Sequence, residues 1–266
     1  MIGASGKIAW KRRLARLWTL IRARDEHRAL VLIYHAIGDG PWAIRNHCFE
    51  KQIGLLHGAA AILPLGDLIA RPAPAGVALS ITFDDGYACL RDNALPILAD
   101  FGLTAAVCLN IGEMDDHERR RSREECGYYP GEQFLTWRDV ENLVAAGWRI
   151  GSHGVGHVDL TVASAETRRN ELSISKQTIE EKTGAVCDVF AYTWGRNNGR
   201  LREAVRCSGY RYALAGGHSA VNHRCDRFAI PRMNVATGYT LDDLTAIVRG
   251  DWDYLGWVAR ARAALS

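Results

Sequence analysis

The chain has 266 residues, 48% hydrophobic and 24% charged, a balance that excludes disorder, collagen-like repeats and an extended coiled coil and allows a sizeable core. No run of about 18 apolar residues occurs, so no membrane-spanning helix is expected. The net charge of +3 is uneven: residues 1–29 carry eight Lys or Arg against two acids, whereas the rest of the chain is mildly acidic, which excludes a protein that binds nucleic acid over its whole body.

In chain order, Lys7 to Arg24 reads as a helix with an apolar stripe of Ile8, Trp10, Leu14, Leu17, Trp18 and Ile21 beside arginines. Those arginines interrupt the apolar core that a secretory signal needs, so the expectation is a cytoplasmic protein, at the inner face of the membrane if the helix is interfacial. Such a helix lies on an anionic membrane surface or packs, solvated, on the domain, and both readings stand. It makes residues 1–29 a basic N-terminal segment and leaves residues 30–266 as one domain. Leu30–Tyr34 is a short buried strand, followed by strands at Gly76–Phe83 and Thr104–Leu109, with a helix at Ala88–Phe101 closed by Gly102 between them. Glu113–Gly131, crowded with charges, reads as an inserted loop. Leu135–Ala146 is a helix capped by Thr136 with Asp139 in the capping-box position. A strand at Trp148–Gly151, a helix at Ser164–Thr183, and strands at Val186–Ala191 and Tyr212–Ala215 complete a series of parallel βα units, hence an α/β fold. Seven cysteines, an odd number with no C-x-x-C pair, suit a reducing compartment and exclude a zinc ribbon.

Two motifs carry chemistry. Thr82-Phe83-Asp84-Asp85-Gly86 follows an apolar run, and in a parallel sheet the C-terminal strand ends face the ligand. Adjacent carboxylates there call for a cation: one would bind a metal and the other serve as a base beside it. An Asp-Gly turn capping the next helix would explain Asp85 and Gly86 but leaves Asp84 without a reason. Gly151-Ser152-His153-Gly154-Val155-Gly156-His157 also lies just beyond a strand. Its two histidines, one helical turn apart, can point at one ion. No Glu follows the first His, so the H-E-x-x-H metalloprotease reading fails. Two histidines and one carboxylate would leave coordination positions open to water and substrate.

TFDDG, followed by GSHGVGHVDL after LTWRDVENLVAAGWRI, resembles the polysaccharide deacetylases of carbohydrate esterase family 4, from about Leu30 to Val235. The resemblance implies a distorted (β/α) barrel of about seven strands and a divalent metal, zinc first with cobalt or nickel as alternatives. It also implies removal of N-acetyl groups from an amino-sugar glycan. Carried over residue by residue, Asp84 is the general base, and Asp85, His153 and His157 hold the metal. Phe190-Ala191-Tyr192-Thr193-Trp194-Gly195 stands where the family has an Arg-containing turn, so the oxyanion donor falls to the Trp194 amide. The missing arginine points to Arg232, in Pro231-Arg232-Met233-Asn234-Val235, as its substitute. Val31-Leu32-Ile33-Tyr34-His35 resembles the permuted arrangement in which the acid-bearing strand comes first, which assigns His35 as general acid, with His218 and His223 as alternatives. Trp42, Trp137, Tyr192, Trp194 and Trp252 are candidates for a sugar-facing platform. The implied substrate is an exopolysaccharide, a capsule or envelope polysaccharide, or its lipid-linked precursor. The alternative is a non-catalytic carbohydrate-binding or scaffold protein with a degenerate site.

Overall fold

Residues 4–21, 25–41, 43–70, 75–114, 126, 128 and 131–265 are described by a computed structural model. Its first regular element, α1 (Ala4–Ile21), precedes β1 (Arg28–Tyr34), an apolar run buried almost throughout. Between β1 and the next long strand lie α2 (Asn46–Ala59), the short β2 (Ala61–Ile62) and α3 (Leu65–Ala70). β3 (Val77–Phe83) runs parallel to β1 along its whole length, Arg28 opposite Val77 and Tyr34 opposite Phe83. A π-turn at Leu90–Ala94 leads into α4 (Leu95–Asp100), and then come β4 (Ala106–Leu109), α5 (Trp137–Ala145) and β5 (Arg149–Ser152). The capping box of Thr136 and Asp139 forms as expected, each side chain accepting the other residue's N–H. The second half holds α6 (Ala165–Thr183), β6 (Val189–Ala191), α7 (Gly199–Cys207), β7 (Tyr212–Ala215), β8 (Ile230–Pro231) and β9 (Met233–Asn234), before α8 (Leu241–Arg249) and α9 (Tyr254–Leu265).

The strands pair in the order β8-β7-β6-β5-β4-β3-β1-β9, all parallel. β8 and β9 end this row at opposite edges, yet only Arg232 separates them along the chain. One stretch, 230–234, therefore leaves β7 on one side of Arg232 and joins β1 on the other. The sheet curls into a nearly closed barrel of seven strand positions. Alternation divides its residues between two layers. Small side chains, among them Ala29, Val31, Ala78, Ala106, Cys108, Val189 and Ala191, pack together with Leu65 and Leu68 of α3. Large ones, such as Leu30, Tyr34, Phe83, Phe190 and Met233, form the second layer with the helices, against Phe49, Leu143, Leu172 and Ile247.

Two expectations change. The strand near Val186 is confined to Val189–Ala191: Val186 is exposed, and the Asp188 carboxylate just ahead of the strand is engaged by Arg149. The single apolar stripe of the N-terminal helix divides in two. Ile8, Leu14 and Trp18 pack on the domain, whereas Trp10, Leu17 and Ile21 face outward with Leu20.

Candidate active site

Each chemistry-bearing residue stands just beyond the C-terminal end of a strand, His35 after β1, Asp84 and Asp85 after β3, and His153 after β5. They line one cavity of about 660 Å³, together with His157, Trp194, His218 and Arg232. The backbone is bent to bring them there. Among the described residues the non-glycine positions with left-handed φ are Asp85 (+73°), His157 (+49°), Trp194 (+53°) and His218 (+35°), and all four line this cavity. Backbone strain of this kind persists only where the surroundings impose it, and it collects at functional sites.

Asp85, His153 and His157 form a buried cluster whose ligand atoms lie within 4.8 Å of one another. Asp85 Oδ1 is 3.6 Å from Nε2 of each histidine. Each imidazole uses its other nitrogen on a backbone carbonyl: His153 Nδ1 on Ala191 O at 2.8 Å and His157 Nδ1 on Cys126 O at 2.6 Å. Those bonds fix the tautomer, so both Nε2 lone pairs face the carboxylate. Burial, aided by the neighbouring His153, pushes His157 down to about 4 despite the opposing charge of Asp85, which keeps its ring neutral. Ligands bound at about 2.1 Å to a tetrahedral ion stand about 3.4 Å apart, close to the separations found here. The donor set fits a divalent cation. The two histidines do not share a helical turn, as their spacing suggests. A loop carries them, held by Glu171 of α6, which accepts from the Val155 and Gly156 N–H groups, and by Gly112, whose N–H binds Val155 O. A Cβ on Gly112 would stand 2.1 Å from that same oxygen, so only glycine allows the approach.

Arg232, at the break between β8 and β9, donates from both terminal nitrogens to Asp84, Nη1 to Oδ1 and Nη2 to Oδ2, each at 2.7 Å. Asp84 and Arg232 are both 3% exposed. Burial alone would raise the Asp84 carboxyl, but Arg232 chiefly, then His153 and His35, bring it down to about 2. Asp84 is thus a carboxylate locked in place beside the Asp85 cluster.

The polysaccharide deacetylase family model matches residues 72–213, more than half of the chain. The chain belongs to the polysaccharide deacetylase family. It is an enzyme, a hydrolase that deacetylates a polysaccharide. YxkH of Bacillus subtilis (strain 168), which carries the polysaccharide deacetylase name, is 23% identical over 224 residues, covering 82% of this chain and 75% of its own. Among solved structures, the Streptococcus pyogenes deacetylase PplD in complex with acetate superposes with a TM-score of 0.70 at 18% identity, covering 84% of this chain and 99% of that one. IcaB from Ammonifex degensii does so with a TM-score of 0.70 at 18% identity, covering 85% and 97%. Both share the barrel.

In the deacetylase the three candidate acid histidines separate. His35 is half-buried, lines the cavity, and lies near enough to Asp84 for its charge to act on that carboxylate. His218 lines the cavity and packs against Trp252, ring centroids 6.2 Å apart, with neither ring nitrogen paired among the described residues. His223 is exposed and outside the cavity. The sugar platform also narrows. Trp137, Tyr192 and Trp252 are buried in the core and Trp42 lies outside the described residues, which leaves Trp194, 53% exposed and edge-on to His157. The turn that carries it, Thr193–Gly195, touches the end of β7: a Cβ on Gly195 would come within 2.4 Å of Gly216 N.

Sequence reasoning missed Tyr128. Its hydroxyl donates to Asp85 Oδ1 at 3.0 Å and accepts from Asn110 Nδ2 at 3.1 Å. With Cys126 it brings the end of the charged 113–131 insertion against the cluster. The available signal was the Tyr128-Tyr129-Pro130 sequence closing that run of charges.

Proposed function

We propose that this deacetylase hydrolyses N-acetyl groups on an amino-sugar glycan, an exopolysaccharide, a capsule or envelope polysaccharide, or its lipid-linked precursor, using zinc held by Asp85, His153 and His157. One juxtaposition carries the reading: an ionised, immobilised carboxylate, Asp84, beside three ligands whose free lone pairs converge. When bound, the ion would supply Lewis acidity toward a water and an acyl oxygen. Asp84 is the base that takes the proton of the attacking water. Both of its oxygens already accept from Arg232, but each keeps a further lone pair, and the fork prevents the carboxylate from rotating away. The Trp194 amide is the protein's own donor to the developing oxyanion. His35, also lining the cavity, gives a proton to the departing nitrogen, since an amide nitrogen leaves as an amine and not as an anion. Water is thereby split between acetate and amine, and the exposed ring of Trp194 offers a surface for a sugar face.

The test is acetate release from N-acetylglucosamine oligomers. Activity should vanish with chelator and return with zinc, and cobalt or nickel in its place ranks the metals. Asp84→Asn should retain the metal and lose turnover. Acetate release that survives complete metal removal, or that Asp84→Asn leaves unchanged, overturns the assignment.

A further inference from the structure

α1 is apolar on two sides. Its inner face is fastened to the domain: Arg12 forks onto Asp243 at 2.7 and 2.6 Å, Lys11 donates to the Tyr239 hydroxyl at 2.8 Å, and the Tyr254 hydroxyl of α9 donates to Lys11 O at 3.0 Å. Among the described residues nothing covers the outer face. Trp10, Leu17, Leu20 and Ile21 are 58%, 61%, 81% and 78% exposed, and their spacing of i, i+7, i+10 and i+11 sets them along one stripe. α9, packed beside α1, adds Trp257, 58% exposed. Five of the ten exposed large apolar side chains among the described residues therefore lie on two adjacent helices, which is a patch and not scatter. Arg13 and Arg16 share the outward face, and neither has an acidic partner among the described residues. The segment that bears them is basic while the rest of the chain carries net negative charge.

We infer that this face docks the enzyme on an anionic lipid bilayer, with Trp10, Leu17, Leu20 and Ile21 at the boundary of the acyl region and Arg13 and Arg16 among the lipid phosphates. Tryptophan and aliphatic side chains mixed with arginine on one helical surface match the two halves of such an interface, apolar below and anionic above. The acidic body turns the molecule so that the basic helix approaches first. The same helix abuts the active-site wall. Ile8 packs at Gly238, one residue past the cavity-lining Thr237, and Lys11 lies 5.7 Å from the Trp252 ring against which cavity-lining His218 packs. Docking thus holds the cavity close to the bilayer. Together with the proposed function, this favours a glycan still attached to a membrane lipid as the substrate, although docking itself does not rest on that reading.

The experiment is flotation of the full chain with vesicles of phosphatidylcholine alone or containing phosphatidylglycerol. The protein should float with the phosphatidylglycerol vesicles and be released by high salt. Arg13→Gln with Arg16→Gln should weaken binding about 30-fold, at about a kilocalorie per cation. The triple variant Trp10→Ser, Leu17→Ser, Leu20→Ser should abolish it. Both variants should keep the wild-type melting temperature and rate of acetate release from soluble oligomers. Failure to float, equal binding to neutral vesicles, or wild-type flotation of the triple variant overturns the inference. So does sedimentation of the wild type as a dimer that the triple variant splits, which would assign the face to a second copy of the chain. Inactive protein that still floats refutes the proposed function alone.

Discussion

The barrel carries arginine–aspartate forks at both ends, and one from each end differs from the other in what surrounds it. At the N-terminal ends of the strands, Arg149 at the start of β5 meets Asp188 just ahead of β6 at 2.5 Å, with 35% of the arginine side chain in water. At the C-terminal ends, Arg232 meets Asp84 at 2.7 Å with both side chains almost wholly buried. The first ties neighbouring strands together and keeps its arginine partly in water, although Asp188 is buried. The second desolvates two charges completely, and well-packed apolar side chains of similar volume are often at least as stabilising as such a pair. A pair with that disadvantage, at the end where the cavity and the Asp85–His153–His157 cluster lie, is explained by the ionised carboxylate it keeps in position.

The largest effect should come from breaking the upper fork. Asp84→Asn should lower kcat by about a thousandfold or more, as expected for loss of a general base. It also leaves Arg232 buried without its counter-charge, a destabilisation of about 3–5 kcal/mol visible in urea unfolding. Adding Arg232→Met removes the stranded charge. The double variant should regain most of the lost stability and none of the activity. Recovery of turnover in the double variant would mean that the single variant fails through its stranded Arg232 charge and that Asp84 is not the base. His153→Ala comes next: it should strip the metal, measured as bound zinc per chain, with turnover lost in proportion.

The lower fork should differ in activity and not in kind of stability loss. Arg149→Met strands the Asp188 carboxylate, itself 3% exposed, with Arg211 at 4.0 Å left beside it, a cost of about 3 kcal/mol of unfolding free energy. kcat should not change. A variant as inactive as Asp84→Asn would erase the distinction between the two ends.

The same contrast governs what could be read from sequence. The parallel strands were legible because burial on both faces writes them as apolar runs, Leu30–Tyr34 and Val77–Phe83 above all. α2 was not: Phe49, Ile53 and Leu56 keep helical spacing, but Arg45 offers no side-chain cap and two glycines lie inside the helix. α8 repeats at Thr240 and Asp243 the capping box that identified α5, a signal that was present and passed over. β8 and β9 are two residues each, too short for any periodicity, yet the arginine between them closes the barrel. In the site, the donors stood out because Asp84, Asp85, His153 and His157 follow apolar runs. What holds them did not. The convergence of the histidines depends on a bent loop, with Gly154 at φ +90° and His157 at +49°, and no spacing rule encodes it.

Tyr128 tests how far that support matters, and its expected effect is the smallest. Its hydroxyl donates to Asp85 Oδ1, the oxygen that stands 3.6 Å from both imidazoles, and Asn110 donates to that hydroxyl in turn. Burial, reinforced by the charge of Asp85, raises the phenol well above its usual value, so it stays protonated and can only donate to the carboxylate. Removing an outer partner of a ligand typically weakens metal binding by about 10- to 100-fold. Tyr128→Phe keeps the ring that packs on Tyr87, Phe134 and His157 and deletes only the bond. Zinc affinity by chelator competition should therefore fall about tenfold, while kcat at saturating zinc stays within a few-fold of wild type. An unchanged affinity would show that the Tyr128 bond is not what orients the carboxylate. A large loss of kcat with affinity intact would instead move Tyr128 from supporting the metal ligand to contacting the substrate.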